Sequence, residues 1–150
     1  MGVKVNDNIG KFFKTFKGLR QGDSLSPLLF DLAIDALAII MDRARNEGFI
    51  KGVLTYNHEN GVNMLQYADD TILFIDKDEE KAGNLKKVLT CFEQVSGMRI
   101  NYTKSELIPI GLTDEEIVSF SNIMGCTVGA FPIKYLGIPL HYDKLRREDI

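Results

Sequence analysis

The sequence predicts an α+β fold, an antiparallel sheet with helices packed on one side. Three observations carry this. Two short apolar runs flank a polar turn at Tyr67-Ala68-Asp69-Asp70, the pattern of a hairpin. Long stretches of helical periodicity begin at capping residues and end at glycines. Hairpins and helices alternate along the chain in the order hairpin, helix, hairpin, helix, strand, helix, strand.

The first hairpin is expected from Val3–Val5 and Phe12–Phe16, on either side of Asn6-Asp7-Asn8. The first helix starts at Ser26-Pro27, a capping hydroxyl followed by a proline whose missing N–H is an orphan anyway. It runs to about Glu47 and stops at Gly48, with Arg43 and Arg45 suiting its C-terminal dipole. Leu28, Leu29, Leu32, Ala33, Ala36, Leu37, Ile40 and Met41 form a broad apolar face, and Phe30, Ile34 and Ile39 extend it. Such a helix is expected to be covered on more than one side. Val62–Gln66 and Thr71–Ile75 form the second hairpin. A helix over Glu79–Ser96 places Leu85, Val88, Leu89 and Phe92 on one face and ends at Gly97. Ile100 and Leu107–Ile110 are extended. Thr113 and Glu116 make a capping box for a third helix that ends at Gly125, and Phe131–Leu140 is extended again.

At 150 residues the chain fits one domain with a real core. Its 45% hydrophobic and 26% charged residues are the balance of a globular protein. No apolar run is long enough to span a membrane, and the N-terminus lacks the apolar stretch of a signal peptide. Cys91 and Cys126 match no zinc spacing and read as ordinary buried thiols. The net charge of −3 argues against a general nucleic-acid binder, but residues 1–22 carry five basic residues against Asp7 alone. That segment could meet phosphates, or be a lysine-guarded edge.

Asp69 and Asp70 are the sharpest chemical feature. Adjacent carboxylates at a tight turn repel each other and are poorly solvated if the strands are buried. A divalent cation relieves both costs, and Mg²⁺ accepts carboxylates together with substrate phosphates. An exposed Asp-Asp turn is the plainer reading of the dipeptide alone, and the apolar flanks weigh against it. The second feature is the loop Gly18 to Phe30, in which Arg20 can pair with phosphate and Gly22 permits close backbone approach at a helix N-terminus. Asp31 and Asp35 read as a solvated helix face, and His58 and His141 as isolated loop or surface residues.

Taken together these blocks resemble the reverse transcriptases, the non-LTR (LINE-type) retrotransposon branch most closely. Arg20-Gln21-Gly22-Asp23-Ser24-Leu25-Ser26-Pro27 is similar to that branch's B motif, around residues 18–30, with Ser24 where the family usually has proline. Tyr67-Ala68-Asp69-Asp70 is similar to its C motif. Gly97-Met98-Arg99-Ile100-Asn101 with Lys104-Ser105 is similar to its D motif, and Tyr135-Leu136-Gly137-Ile138-Pro139-Leu140 to the block that follows. The resemblance implies a partial polymerase palm over residues 1–150 and an RNA-directed DNA polymerase that copies RNA by two-metal phosphoryl displacement. It implies Mg²⁺, with Mn²⁺ as an alternative, held by Asp69 and Asp70 as catalytic ligands. Arg20, Gln21, Gly22, Tyr67 and Lys104 then face nucleic acid or the incoming deoxynucleoside triphosphate. The partners implied are an RNA template and a DNA primer, and the family's life cycle implies a nuclear location.

Motif A, which supplies a further aspartate, has no counterpart before Gln21, and fingers and thumb are missing too. This predicts that Met1 is an internal methionine of a longer ancestral reading frame, that the isolated chain is inactive, and that an unpaired sheet edge promotes self-association. Two other functions stay open: a non-catalytic folded remnant or interaction module, and a group II intron maturase-like protein. Arg20-Gln21-Gly22-Asp23 disfavours the latter.

Overall fold

The computed structural model describes residues 2–14, 22–53 and 64–140. The chain forms two compact units, residues 1–36 and 37–150.

In the first unit, β1 (Lys4–Val5) pairs antiparallel with β2 (Asn8–Ile9). Asn6 and Asp7 both take positive φ, 46° and 65°, as a two-residue turn matched to strand twist requires. The returning strand therefore starts at once, at Asn8. The sequence placed it at Phe12–Phe16. Phe12 and Phe13 lie outside any strand, and residues 15 and 16 lie outside the described residues. Helix α1 (Leu25–Asn46) begins earlier than Ser26-Pro27 suggested. Its first turn takes in both residues, and the Ser26 amide donates to the Asp23 carbonyl at 3.1 Å. Proline fits there because that turn has no intrahelical use for its N–H. Among the described residues of this unit none is buried.

The second unit holds the core. Leu37, Met41 and Ala44 from α1 pack with Ile50, with Leu85, Leu89 and Phe92 of α2 (Glu79–Ser96), and with Met124 of α3 (Asp114–Met124). The α1 stripe of Leu25, Leu28, Leu29 and Leu32 remains exposed instead of covered. Helix α2 keeps its predicted bounds because its ends are locally encoded. The Asp78 carboxylate accepts from the Lys81 amide, and Gly97 closes the helix in the left-handed region. The capping box of Thr113 and Glu116 opens α3, and Gly125 closes it. Side chains tie the helix ends together. Lys81 and Asn84 donate to the Gly48 and Phe49 carbonyls that follow α1. Lys86 donates to the Met124 carbonyl at 2.6 Å while its ammonium sits 3.2 Å from the Tyr102 ring centre.

The strands do not assemble into the single antiparallel sheet that was expected. Among the described residues they make four separate two-stranded pairs. β3 (Met64–Tyr67) pairs with β4 (Asp70–Leu73), and β7 (Ile133–Tyr135) with β8 (Ile138–Leu140), both antiparallel. The Phe131–Leu140 stretch is thus a hairpin turning at Leu136-Gly137, not one extended segment. β5 (Glu106–Leu107) and β6 (Thr127–Val128) are parallel, and α3 lies in the crossover that such a pair needs. The class is α+β, a mixture of helices and small strand pairs. Among the described residues no helix is long and apolar enough to cross a membrane. Cys91 is exposed and Cys126 half-buried, so the expected pair of buried thiols is not formed. Burial raises the Cys126 thiol above its ordinary range.

Candidate functional site

The aspartate pair sits at the tip of the β3–β4 hairpin. The strands run further into the motif than the sequence suggested, because Tyr67 pairs with Asp70 and leaves only Ala68 and Asp69 in the turn. Ala68 carries φ +48°, a conformation that residues with a Cβ seldom adopt. Side chains alternate across a strand, so the hairpin has two distinct faces. Met64 and Leu73 are cross-strand partners and pack against the core, with Ile75 just beyond. Gln66 and Thr71 continue that face toward the tip. Leu65, Ile72, Tyr67 and Asp70 make the opposite face. Tyr67 is 59% exposed there.

Asp69 and Asp70 are both exposed, one in the turn and one on the strand face. The poor solvation expected from burial of the strands is absent, because only the far end of the hairpin is anchored in the core. Water reaches both carboxylates, and neither is enclosed by the strands. Among the described residues no group of three or more His, Cys, Asp or Glu side chains could hold a metal ion.

Lys104 lies on the turn between α2 and β5. Asn101 organises that turn. Its carbonyl accepts from the Lys104 amide and the Ser105 hydroxyl, both at 3.0 Å, and its side-chain oxygen accepts from Thr103 at 2.7 Å. The lysine side chain stays exposed, without an ion-pair partner among the described residues. No hydrogen bond or ion pair joins it to the hairpin. Gly22 is exposed with φ +91°, a left-handed value at which a Cβ would be strained. Arg20 and Gln21, and also His58 and His141, lie outside the described residues.

Two features near the hairpin escaped the sequence reading. Lys51 and Asp76 form an ion pair at 2.9 Å just after β4. The hydrogen bond from Lys51 holds the Asp76 carboxyl below its usual range, and the same bond raises Lys51. The other is a pair of side-chain hydrogen bonds on the anchored face. Thr71 Oγ1 donates to Gln66 Oε1 at 2.5 Å, and Gln66 Nε2 donates to the Ala68 carbonyl at 2.6 Å. Equal spacing of Gln66 and Thr71 from the turn was the available signal.

The described residues thus place an exposed aspartate pair at the tip of a core-anchored hairpin in an α+β chain. Comparison with known families supplies the class: residues 1–140 match the model of reverse transcriptase (RNA-dependent DNA polymerase), and the chain belongs to that family. It is 28% identical over 138 residues to a retrovirus-related Pol polyprotein from type-1 retrotransposable element R2 of Nasonia vitripennis, covering 90% of this chain. It is 32% identical over 94 residues, 63% of this chain, to the corresponding R2 polyprotein of Popillia japonica. An uncharacterized mitochondrial protein of Arabidopsis thaliana is 44% identical over 55 residues, 37% of this chain. These R2 relatives bear out the resemblance to the LINE-type branch. The chain spans 45% of the Arabidopsis protein and 12% of each R2 polyprotein. No solved structure matches it.

Proposed function

We propose that this chain is part of the palm of an RNA-directed DNA polymerase of the non-LTR retrotransposon type, with the B, C and D motifs and the block after them at the positions given above. The observation that supports this best is the exposed aspartate pair at the tip of a core-anchored hairpin, inside a sequence of the reverse transcriptase family. Asp69 and Asp70 would hold Mg²⁺ or Mn²⁺. Two exposed carboxylates fit part of the shell of such an ion, whose remaining ligands are phosphate oxygens, waters and a further carboxylate. When bound, the metal supplies charge stabilisation for in-line phosphoryl displacement. The chain's own residues do the positioning. Tyr67, on the same hairpin face as Asp70, offers a ring to the primer end. Lys104 offers an exposed charge to the triphosphate, and Arg20, Gln21 and Gly22 face template and nucleotide. RNA template, DNA primer and deoxynucleoside triphosphates are partners of the longer protein.

A non-catalytic role is the second reading. It is favoured by the lack of any three-carboxylate cluster among the described residues. Mn²⁺ titration of isotopically labelled protein tests the metal assignment. Paramagnetic broadening should centre on the Asp69 and Asp70 amides, with weak affinity on the order of millimolar, and should vanish in Asp69→Asn/Asp70→Asn. Broadening centred elsewhere, or unchanged in the double variant, refutes the assignment.

A further inference from the structure

We infer that Thr71 and Gln66 act as a positioning relay for the aspartate turn, with Thr71 setting the orientation of the Gln66 amide and the amide pinning the backbone that presents Asp69. The inference rests on the reading of Asp69 and Asp70 as metal ligands and adds the residues that aim them.

The order of the bonds follows from donor and acceptor chemistry. The Ala68 carbonyl can only accept. The Gln66 atom that faces it at 2.6 Å is therefore the amide nitrogen. This turns Oε1 toward Thr71, 2.5 Å away, and the Thr71 hydroxyl, able to donate or accept, must donate. Only one arrangement satisfies all three groups. Each link crosses a structural joint. The Thr71–Gln66 bond spans the strands at a directly opposed pair, and the Gln66–Ala68 bond reaches from strand to turn.

The held carbonyl belongs to the one non-glycine residue of this hairpin with a positive φ. Ala68 has φ +48° without being glycine, a conformation that persists only where surrounding bonds over-determine it. The relay also sits on the productive side. It continues the face on which Met64 and Leu73 pack into the core, and Tyr67 and Asp70 occupy the other face. The turn is thus held from behind, and the face carrying Asp70 and Tyr67 stays open. Second-layer bonds of this kind orient metal ligands and set metal affinity.

The test uses the chain labelled for NMR, with two readouts. A strong intraresidue amide–Hα cross-peak at Ala68 reports its positive φ, and Mn²⁺ broadening of the Asp69 and Asp70 amides reports affinity. Thr71→Val keeps shape and strand preference but removes the hydroxyl. Gln66→Glu keeps an acceptor for Thr71 and places a carboxylate oxygen against the Ala68 carbonyl. Both should lose the Ala68 signature and weaken Mn²⁺ binding by about tenfold, with the helical circular dichroism unchanged. Thr71→Ser, which restores the hydroxyl, should recover both readouts. If Ala68 keeps its positive φ and the affinity holds in both Thr71→Val and Gln66→Glu, the relay is refuted. If the wild type shows no Mn²⁺ broadening at the pair while Ala68 responds to the substitutions, the metal reading fails and the relay stands.

Discussion

Met41 and Leu32 lie on the same helix and should respond very unequally to substitution. Met41 is 1% exposed and sits among Leu37, Ala44, Ile50, Leu85, Leu89, Phe92 and Met124. Met41→Ala deletes three heavy atoms from the middle of that cluster. The loss of transfer free energy and the cavity left behind together cost about 3 kcal/mol. With a urea dependence of about 2 kcal/mol per molar, the unfolding midpoint should fall by about 1.5 M. Leu32 is 65% exposed, so Leu32→Gln removes little buried surface and should change stability by less than about 0.5 kcal/mol. The protein has no tryptophan, so urea unfolding is best followed by helical circular dichroism at 222 nm. A Met41→Ala cost below about 1 kcal/mol, or a Leu32→Gln cost equal to it, would mean that the core does not lie where α1 meets α2.

Further outcomes follow from single features. The Tyr102 hydroxyl is buried with no hydrogen-bond partner among the described residues, so Tyr102→Phe should stabilise the chain by about 1 kcal/mol in the same urea experiment. A destabilisation of that size would reveal a bond to the hydroxyl. The Lys51–Asp76 pair should contribute stability above the ordinary carboxylate value of 3.8 and lose it as pH falls through the lower folded value of Asp76. Lys51 is raised, so its share is present below 10.5 and lost as pH rises through the higher folded value. Thermal melts across pH should flatten at both ends in Asp76→Asn, by a small amount because the pair is largely exposed. Among the described residues β3 and β4 pair only with each other, leaving an unpaired edge on each. Concentration-dependent sedimentation should show self-association that Leu65→Lys reduces, and a strictly monomeric wild type would contradict this.

Short-range chemistry made several features legible along the chain. Gly97 and Gly125 end helices because glycine accepts a left-handed backbone, and Thr113 with Glu116 opens one by reciprocal bonds within a single turn. All of these were legible from neighbours a few residues apart, as were the hairpin around Tyr67-Ala68-Asp69-Asp70 and the family its motifs resemble. Other features depend on residues far apart in the chain. The parallel pairing of Glu106–Leu107 with Thr127–Val128 is set by how α3 returns. Which stripe of α1 enters the core is also not written in its periodicity. Leu25, Leu28 and Leu32 are as apolar as Leu37 and Met41, yet only the latter two are buried. The Thr71–Gln66–Ala68 bonds needed the register, since a slip of one residue would move Gln66 to the other face of the hairpin. Local signals choose an element and its ends, but burial and register come from packing, where apolar side chains compete for one core on nearly equal terms.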